Sequence, residues 1–139
     1  MIPALKNAEY VRYGVMHRNT YIHSPDLLEA TMETRARKGL FFAGQMTGVE
    51  GYVESAASGI AAACSAFARA AGKEPRAFPK ETAIGALCHY ISHFIGKDFQ
   101  PMNVNFGLLP PLPERVKKRE KNGKLAARAL SVLDAFIKK

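Results

Sequence analysis

The chain has 139 residues, enough for one compact domain with a buried core, and its hydrophobic fraction of 47% is ordinary for a globular protein. Twenty Lys+Arg against twelve Asp+Glu give a formal charge of +8, which favours a polyanionic partner and supplies affinity and steering more than sequence reading. No apolar run nears a membrane span, the opening MIPALKNAEY is not a signal peptide, and Cys64 and Cys88 form neither a CxxC nor a metal spacing, so the expectation is a cytoplasmic protein with no membrane and no metal.

Residues 9–22, EYVRYGVMHRNTYI, alternate Val11, Tyr13 and Val15 with Arg12, Gly14 and Met16. The alternation predicts a strand ending near His17, followed by a loop at the strand's end. His23-Ser24-Pro25 breaks the chain. Asp26 to Arg37 reads either as a short helix or as a strand over Ala30–Arg35 paired with Leu40–Ala43. A short helical turn followed by a hairpin reconciles the two.

The segment 40–72 reads as strand, turn and helix. Leu40, Phe41, Phe42 and Ala43 form an apolar run bounded by glycines, the pattern of a buried strand. Gly44, Gly48 and Gly51 follow, and Gly48 is expected to let a ligand approach the backbone closely. From about Tyr52 a helix of small residues begins, with Ala56, Ala57, Gly59, Ile60, Ala61, Ala63, Cys64 and Phe67 suited to lying close to a sheet. Glu50 and Glu54 stand near its start, and Gly72 and Pro75 stop it. Its N-terminal amides suit an anion or an electron-rich ring edge. A tight connection with no ligand gives the same spacing.

A second helix is predicted over 81–95, with Ile84, Leu87, Cys88, Ile91, Phe94 and Ile95 as its apolar stripe. Cys64 and Cys88 both read as small buried hydrophobes. His89 and His93 stand four apart, but Tyr90 occupies the place of the Glu in HExxH, so they read as a polar face or a contact for an anion. Residues 96–113, with PMNVNFGLLPPLP, form an extended wrap. The last helix is predicted over 114–138, burying Leu125, Ala129, Leu130, Leu133, Phe136 and Ile137. Lys117, Lys118, Arg119, Lys121 and Lys124 cluster in its first half, either as a solvated face or as a phosphate-backbone contact. Residues 1–139 thus read as a single α/β unit, rich in helix.

The segment FAGQMTGVEGYVESAASG closely resembles the TrmFO family, the folate- and FAD-dependent tRNA (uracil-54-C5)-methyltransferases. It is less similar to their sister flavoproteins, the GidA/MnmG family, which modify the wobble uridine. The resemblance continues through RYGVMHRNTYI, KEP, FPKETAIGAL, HYISH and QPMNVNFGLLPPLP, nearly the whole chain. It implies the C-terminal part of a flavoprotein with two dinucleotide-binding domains. Such an enzyme uses FAD, methylenetetrahydrofolate and NAD(P)H to methylate tRNA. It also implies FAD contacts at Gly44, Gln45, Thr47, Gly48, Val49, Glu50, Gly51 and Tyr52. Gln45 stands where the wider group often has Asp; its amide can still bond a ribityl hydroxyl. His17 and Tyr52 are the implied folate contacts, and Lys117–Lys124 the implied tRNA contact.

The dinucleotide fingerprint GxGxxG is absent, and neither Cys64 nor Cys88 matches the family's nucleophiles, so no catalytic residue is assigned. The expectation is a chain inactive alone, completed by an N-terminal FAD-binding half, with a homo-oligomer left open. A stand-alone basic tRNA- or RNA-binding module is the alternative.

Overall fold

The computed structural model describes residues 2–9 and 20–138. After a 3-10 turn at Pro3–Leu5 come four α-helices: α1 (Ser24–Leu27), α2 (Tyr52–Ala70), α3 (Ala83–His93) and α4 (Lys118–Ile137). The strand expected at residues 9–22 and the folate contact expected at His17 fall largely on residues 10–19, outside the described residues.

The expected α/β character is corrected among the described residues, which are helical and carry only isolated bridges. Leu28 pairs with Thr34 and Glu33 with Phe41, both antiparallel, and Val49 pairs with Met102 in parallel. Among the described residues the buried strand over Leu40–Ala43 is not formed as a ladder: its bonds there are Thr34 N–H to Leu40 O (2.8 Å) and Phe42 N–H to Met32 O (3.1 Å), both on one edge. Met32, at φ +67°, turns the partner segment away after that. An apolar run becomes a central strand only where both edges have partners. The helical turn of α1 followed by chain reversal at 28–42 is the reconciled form of the two readings of that segment.

Helix α3 lies at the centre, packed against α1 and α2. It starts where Thr82 caps it, its hydroxyl accepting from Gly85 N–H (3.1 Å) and donating to Pro79 O (2.7 Å). A Cβ at Gly85 would run into the carbonyl oxygens of Phe78 and Pro79, so only glycine lets that loop pass so close. Leu87, Cys88 and Ile91 of α3 form the core with Met32, Val49, Ala61, Ala62 and Phe99. Phe99 is the aromatic hub, 5.7–6.1 Å by ring centroid from Tyr21, His23, Tyr90 and Phe94. A smaller cluster joins Ala86, Leu109 and Leu125.

Several expected faces differ. On α2 the packed side is Ser58, Ala61, Ala62 and Ser65, while Ile60, Cys64 and Phe67 are exposed. Small residues pack where backbones come closest, so the bulkier stripe is left outside. Cys64 is therefore not the buried hydrophobe expected, whereas Cys88 is. On α3, Ile95 lies beyond the helix end and is exposed. Helix α4 begins at Lys118 rather than near 114, because the prolines at 110, 111 and 113 hold the approach extended. Only Leu125 of α4 is buried; Leu130 and Ile137 are exposed.

The reversal at 28–42 is pinned to α2 by an ion pair. Glu33 is 6% exposed and takes Arg69 Nη2 at 2.7 Å, Arg69 Nε at 3.1 Å and Gly39 N–H at 2.7 Å. Arg69 also donates to Glu74 (2.8 Å). The bonds from Arg69 hold the Glu33 carboxyl below the usual carboxylate range, against the opposing effect of burial.

A depressed carboxylate contributes stability that is present above its unfolded pKa and lost as pH falls. Glu33→Gln is therefore expected to destabilise the chain by about 3 kcal/mol at neutral pH, because Arg69 keeps its charge without its main partner. The wild-type advantage should shrink in melts taken progressively below about pH 4.3. A constant difference down to strong acid would show that the ion pair does not hold this join.

Candidate functional site

The candidate site is the glycine turn that feeds α2. Gly44 has φ +74°, Gln45–Thr47 make a 3-10 turn, Gly48 has φ +86° and Gly51 has φ +86°. Each of these values lies where side chains with a Cβ are disfavoured, so the spacing Gly44-x3-Gly48-x2-Gly51 is a backbone requirement.

Most polar groups of the turn are engaged internally. Gly44 N–H donates to Ser58 Oγ (2.7 Å), and Ser58 donates to Ser55 O (2.7 Å). Thr47 N–H and Oγ1 both donate to Gly44 O, at 2.9 and 2.8 Å, and Thr47 O accepts from Ser24 Oγ (2.7 Å). Gly48 N–H donates to Gln45 O, and Gly48 O accepts from Met102 N–H (2.9 Å). Glu50 N–H donates to Met102 O (3.0 Å). The Thr47 and Val49 side chains are fully buried. Neither can offer a side chain to a ligand.

What remains accessible is narrower than the sequence reading. Gln45 is exposed, Glu50 and Gly51 are half-buried, and Tyr52 is 98% exposed. The amides of Gly51, Tyr52 and Val53 open α2 and make no hydrogen bond among the described residues. The carboxylate of Glu54 and the amide of Asn103 lie beside Gly51, in the direction its missing Cβ would take. The arrangement is an N-terminal helix dipole with open donors, flanked by the carboxamides of Gln45 and Asn103, the carboxylates of Glu50 and Glu54 and one phenol. The donors suit the carbonyl edge of a heterocycle, while the two carboxylates oppose a free anion.

Gly48 requires a correction. The space its Cβ would take is filled by Phe99 of this chain, whose Cζ would stand 2.6 Å away. Its glycine serves packing against Phe99, not approach by a ligand. Ser58, Phe99 and Met102 escaped the sequence reading. The signal available for Ser58 was its position on the inner face of α2, two turns from Gly51.

The basic cluster stands apart, around the start of α4. Lys117, Lys118, Arg119, Lys121 and Lys124 are all exposed. Lys124 Nζ pairs with Glu114 (2.8 Å), which raises the pKa of the lysine and lowers that of the glutamate. The other four form no ion pair among the described residues. Among the described residues there is no group of three or more metal ligands, and no helix long and apolar enough to cross a membrane.

A family model described as Glucose inhibited division protein A matches residues 1–74. The methylenetetrahydrofolate--tRNA-(uracil-5-)-methyltransferase TrmFO of Enterococcus faecalis is 59% identical over 133 residues, covering 95% of this chain and 31% of that protein. The enzyme of the same name from Exiguobacterium sibiricum is 60% identical over 139 residues, covering 98% of this chain and 32% of that protein. The chain therefore spans about a third of the length of the curated relatives it matches. The structure of Aquifex aeolicus GidA aligns with 49% of this chain and 11% of its own, at 40% identity and TM-score 0.47.

Gly48→Ala should cost about 2–4 kcal/mol, combining a strained positive φ with displacement of Phe99. In the Phe99→Ala background, itself destabilised by about 3–5 kcal/mol, the same change should cost much less. Urea titrations of the four proteins measure the coupling. Additive costs would mean that Phe99 is not what excludes a side chain at residue 48.

Proposed function

On the premise that the chain belongs to the glucose inhibited division protein A family, and resembles its TrmFO branch along nearly its whole length, we propose that it is the C-terminal part of a tRNA (uracil-54-C5)-methyltransferase. Methylenetetrahydrofolate would be the carbon donor, FAD the redox cofactor and NAD(P)H the reductant. The observation that carries this reading is the 59% identity to the E. faecalis enzyme over 95% of the chain.

The open donors fit a flavin on one side. The amides of Gly51, Tyr52 and Val53, at the positive end of α2, would hold the electron-rich edge of the ring and favour its reduced, anionic form. Gln45 would bond a ribityl hydroxyl. Gly44 and Gly48 would shape the turn without touching the ring, and Thr47 and Val49 would support it from beneath. Glu50 lies at the rim. When bound, the flavin would supply the electrons that the one-carbon transfer consumes. The exposed phenol of Tyr52 would stack on the folate ring, with His17 proposed as the facing group.

The chain supplies no evident thiolate. Attack at C6 of uracil needs one, but burial pushes the Cys88 thiol up to about 12. Cys64 stands on α2 twelve residues after Tyr52, about 18 Å along the helix from the open amides. The nucleophile is therefore assigned to an N-terminal half carrying the dinucleotide fingerprint. The bulky outer stripe of α2 supports such a partner: Tyr52 is 98%, Val53 80%, Ile60 63% and Phe67 77% exposed along one helix. The four exposed cations at the start of α4 would hold the tRNA backbone. They also suit the alternative of a basic RNA-binding module without flavin chemistry.

FAD fluorescence titration separates the two. Binding only when the N-terminal half is supplied supports a shared flavin site; no binding in either sample leaves the RNA-binding module. Changing Lys117, Lys118 and Lys121 together to Ala should weaken tRNA binding. It should also flatten the slope of log K against log salt by roughly 0.7–0.9 for each phosphate no longer neutralised. An unaltered slope would remove this helix from the RNA surface.

A further inference from the structure

The histidines of α3 form a second basic surface, distinct from the glycine turn and from the start of α4. The rings of His89 and His93 stack face to face, 4.3 Å between centroids and 3° between planes. Parallel stacking does not converge their lone pairs on a metal, but it does present two imidazole edges side by side.

Ser92 Oγ donates to Cys88 O at 2.7 Å and stands 2.7 Å from His93 Nδ1. In the neutral tautomer that satisfies both contacts, His93 Nδ1–H donates to Ser92 Oγ and Nε2 is left as an acceptor. Protonation would convert Nε2 from an acceptor into a donor suited to an anion.

The cavity beside the pair is balanced in charge, three carboxylates against three cations, and Lys38 is the cation that forms no ion pair among the described residues. His93 lines a cavity of about 460 Å³ together with Lys38, Arg35 and Arg69. The acids of that cavity are engaged: Glu29 with Arg35, and Glu33 and Glu74 with Arg69. Arg35 also donates to Ser92 O (3.1 Å). Partial burial of the ring opposes protonation of His89 most, followed by the nearby charges of Lys80 and His93. An anion seated over the pair would reverse the charge effects.

We propose that the His89–His93 pair, between Lys80 and the Lys38 side of this cavity, is a second RNA contact that takes one backbone phosphodiester and binds it with uptake of a proton. The inference rests on the tRNA reading above. Its signature is pH dependence, which the lysines of α4 do not confer.

Affinity for an unmodified tRNA transcript, measured by fluorescence anisotropy, should be roughly tenfold tighter at about pH 6 than at about pH 8. His89→Gln/His93→Gln should match the wild type at the higher pH and lose the gain at the lower one. His89→Lys should bind tightly at both. A gain that survives in the double glutamine protein, or a wild type whose affinity is flat with pH, overturns the proposal. A wild type that binds no tRNA at either pH overturns the tRNA reading and this inference with it. Loss of binding on changing the α4 lysines, with the pH gain absent, overturns this inference alone.

Discussion

The packing of Phe99 over Gly48 is the contact on which the rest depends. Phe99 is 3% exposed and closes the core formed by Val49, Leu87 and Ile91. Because residue 48 has no Cβ, the chain there adopts φ +86° and the Phe99 ring fills the space a side chain would take. That turn sets Val49 beside Met102, and the parallel bridge ties the irregular segment after α3 to the start of α2. The ring also meets Tyr21 and His23 from before α1, Tyr90 from α3 and Phe94 just after it. One aromatic side chain thus sets the direction in which the amides of Gly51 and Tyr52 emerge.

The inner face of α2 is polar in a specific way. Ser58 is buried because it satisfies Gly44 N–H and returns its own proton to Ser55 O. An alanine there would leave the half-buried Gly44 amide without an acceptor, at about 1 kcal/mol. Serines and alanines at 58, 61, 62 and 65 let α2 approach the turn and α3 closely. The bulky Ile60 and Phe67 are then forced to the opposite face. The bare apolar stripe is the geometric counterpart of a tight inner contact.

Local rules carried the helices and failed where tertiary partners decide. The glycine spacing placed the start of α2, and Gly72, at φ +71°, ends it through Lys73 N–H to Ala68 O (2.8 Å). Helix α3 was legible from Leu87, Cys88 and Ile91, whose period matches its buried face. The run Leu40–Ala43 misled because strand character belongs to a ladder, and among the described residues only one of its edges is paired. Helix α4 misled because its apolar face is only partly covered: Leu125 reaches Ala86 and Leu109, Phe136 lies against Phe78 at 5.0 Å between ring centroids, and Leu130 stays exposed. At the site, periodicity cannot separate a glycine that admits a ligand from one that admits Phe99. The positive φ of Gly44, Gly48 and Gly51 was readable; which neighbour exploits each was not.

The charge pattern of α4 breaks a local rule. Cations at a helix N-terminus oppose the dipole, at about 0.3–1 kcal/mol each when exposed. Here Lys118, Arg119 and Lys121 stand in or beside the first turn, with Glu120 as its acid. The Glu114–Lys124 pair offsets little of this, since both groups are exposed and screened by solvent. The net is unfavourable for folding, and nothing in the packing requires it, because these residues are exposed. Sequences tolerate such conflicts where the residues serve something other than the fold. A polyanion laid across this end would turn the repulsion among the lysines into attraction.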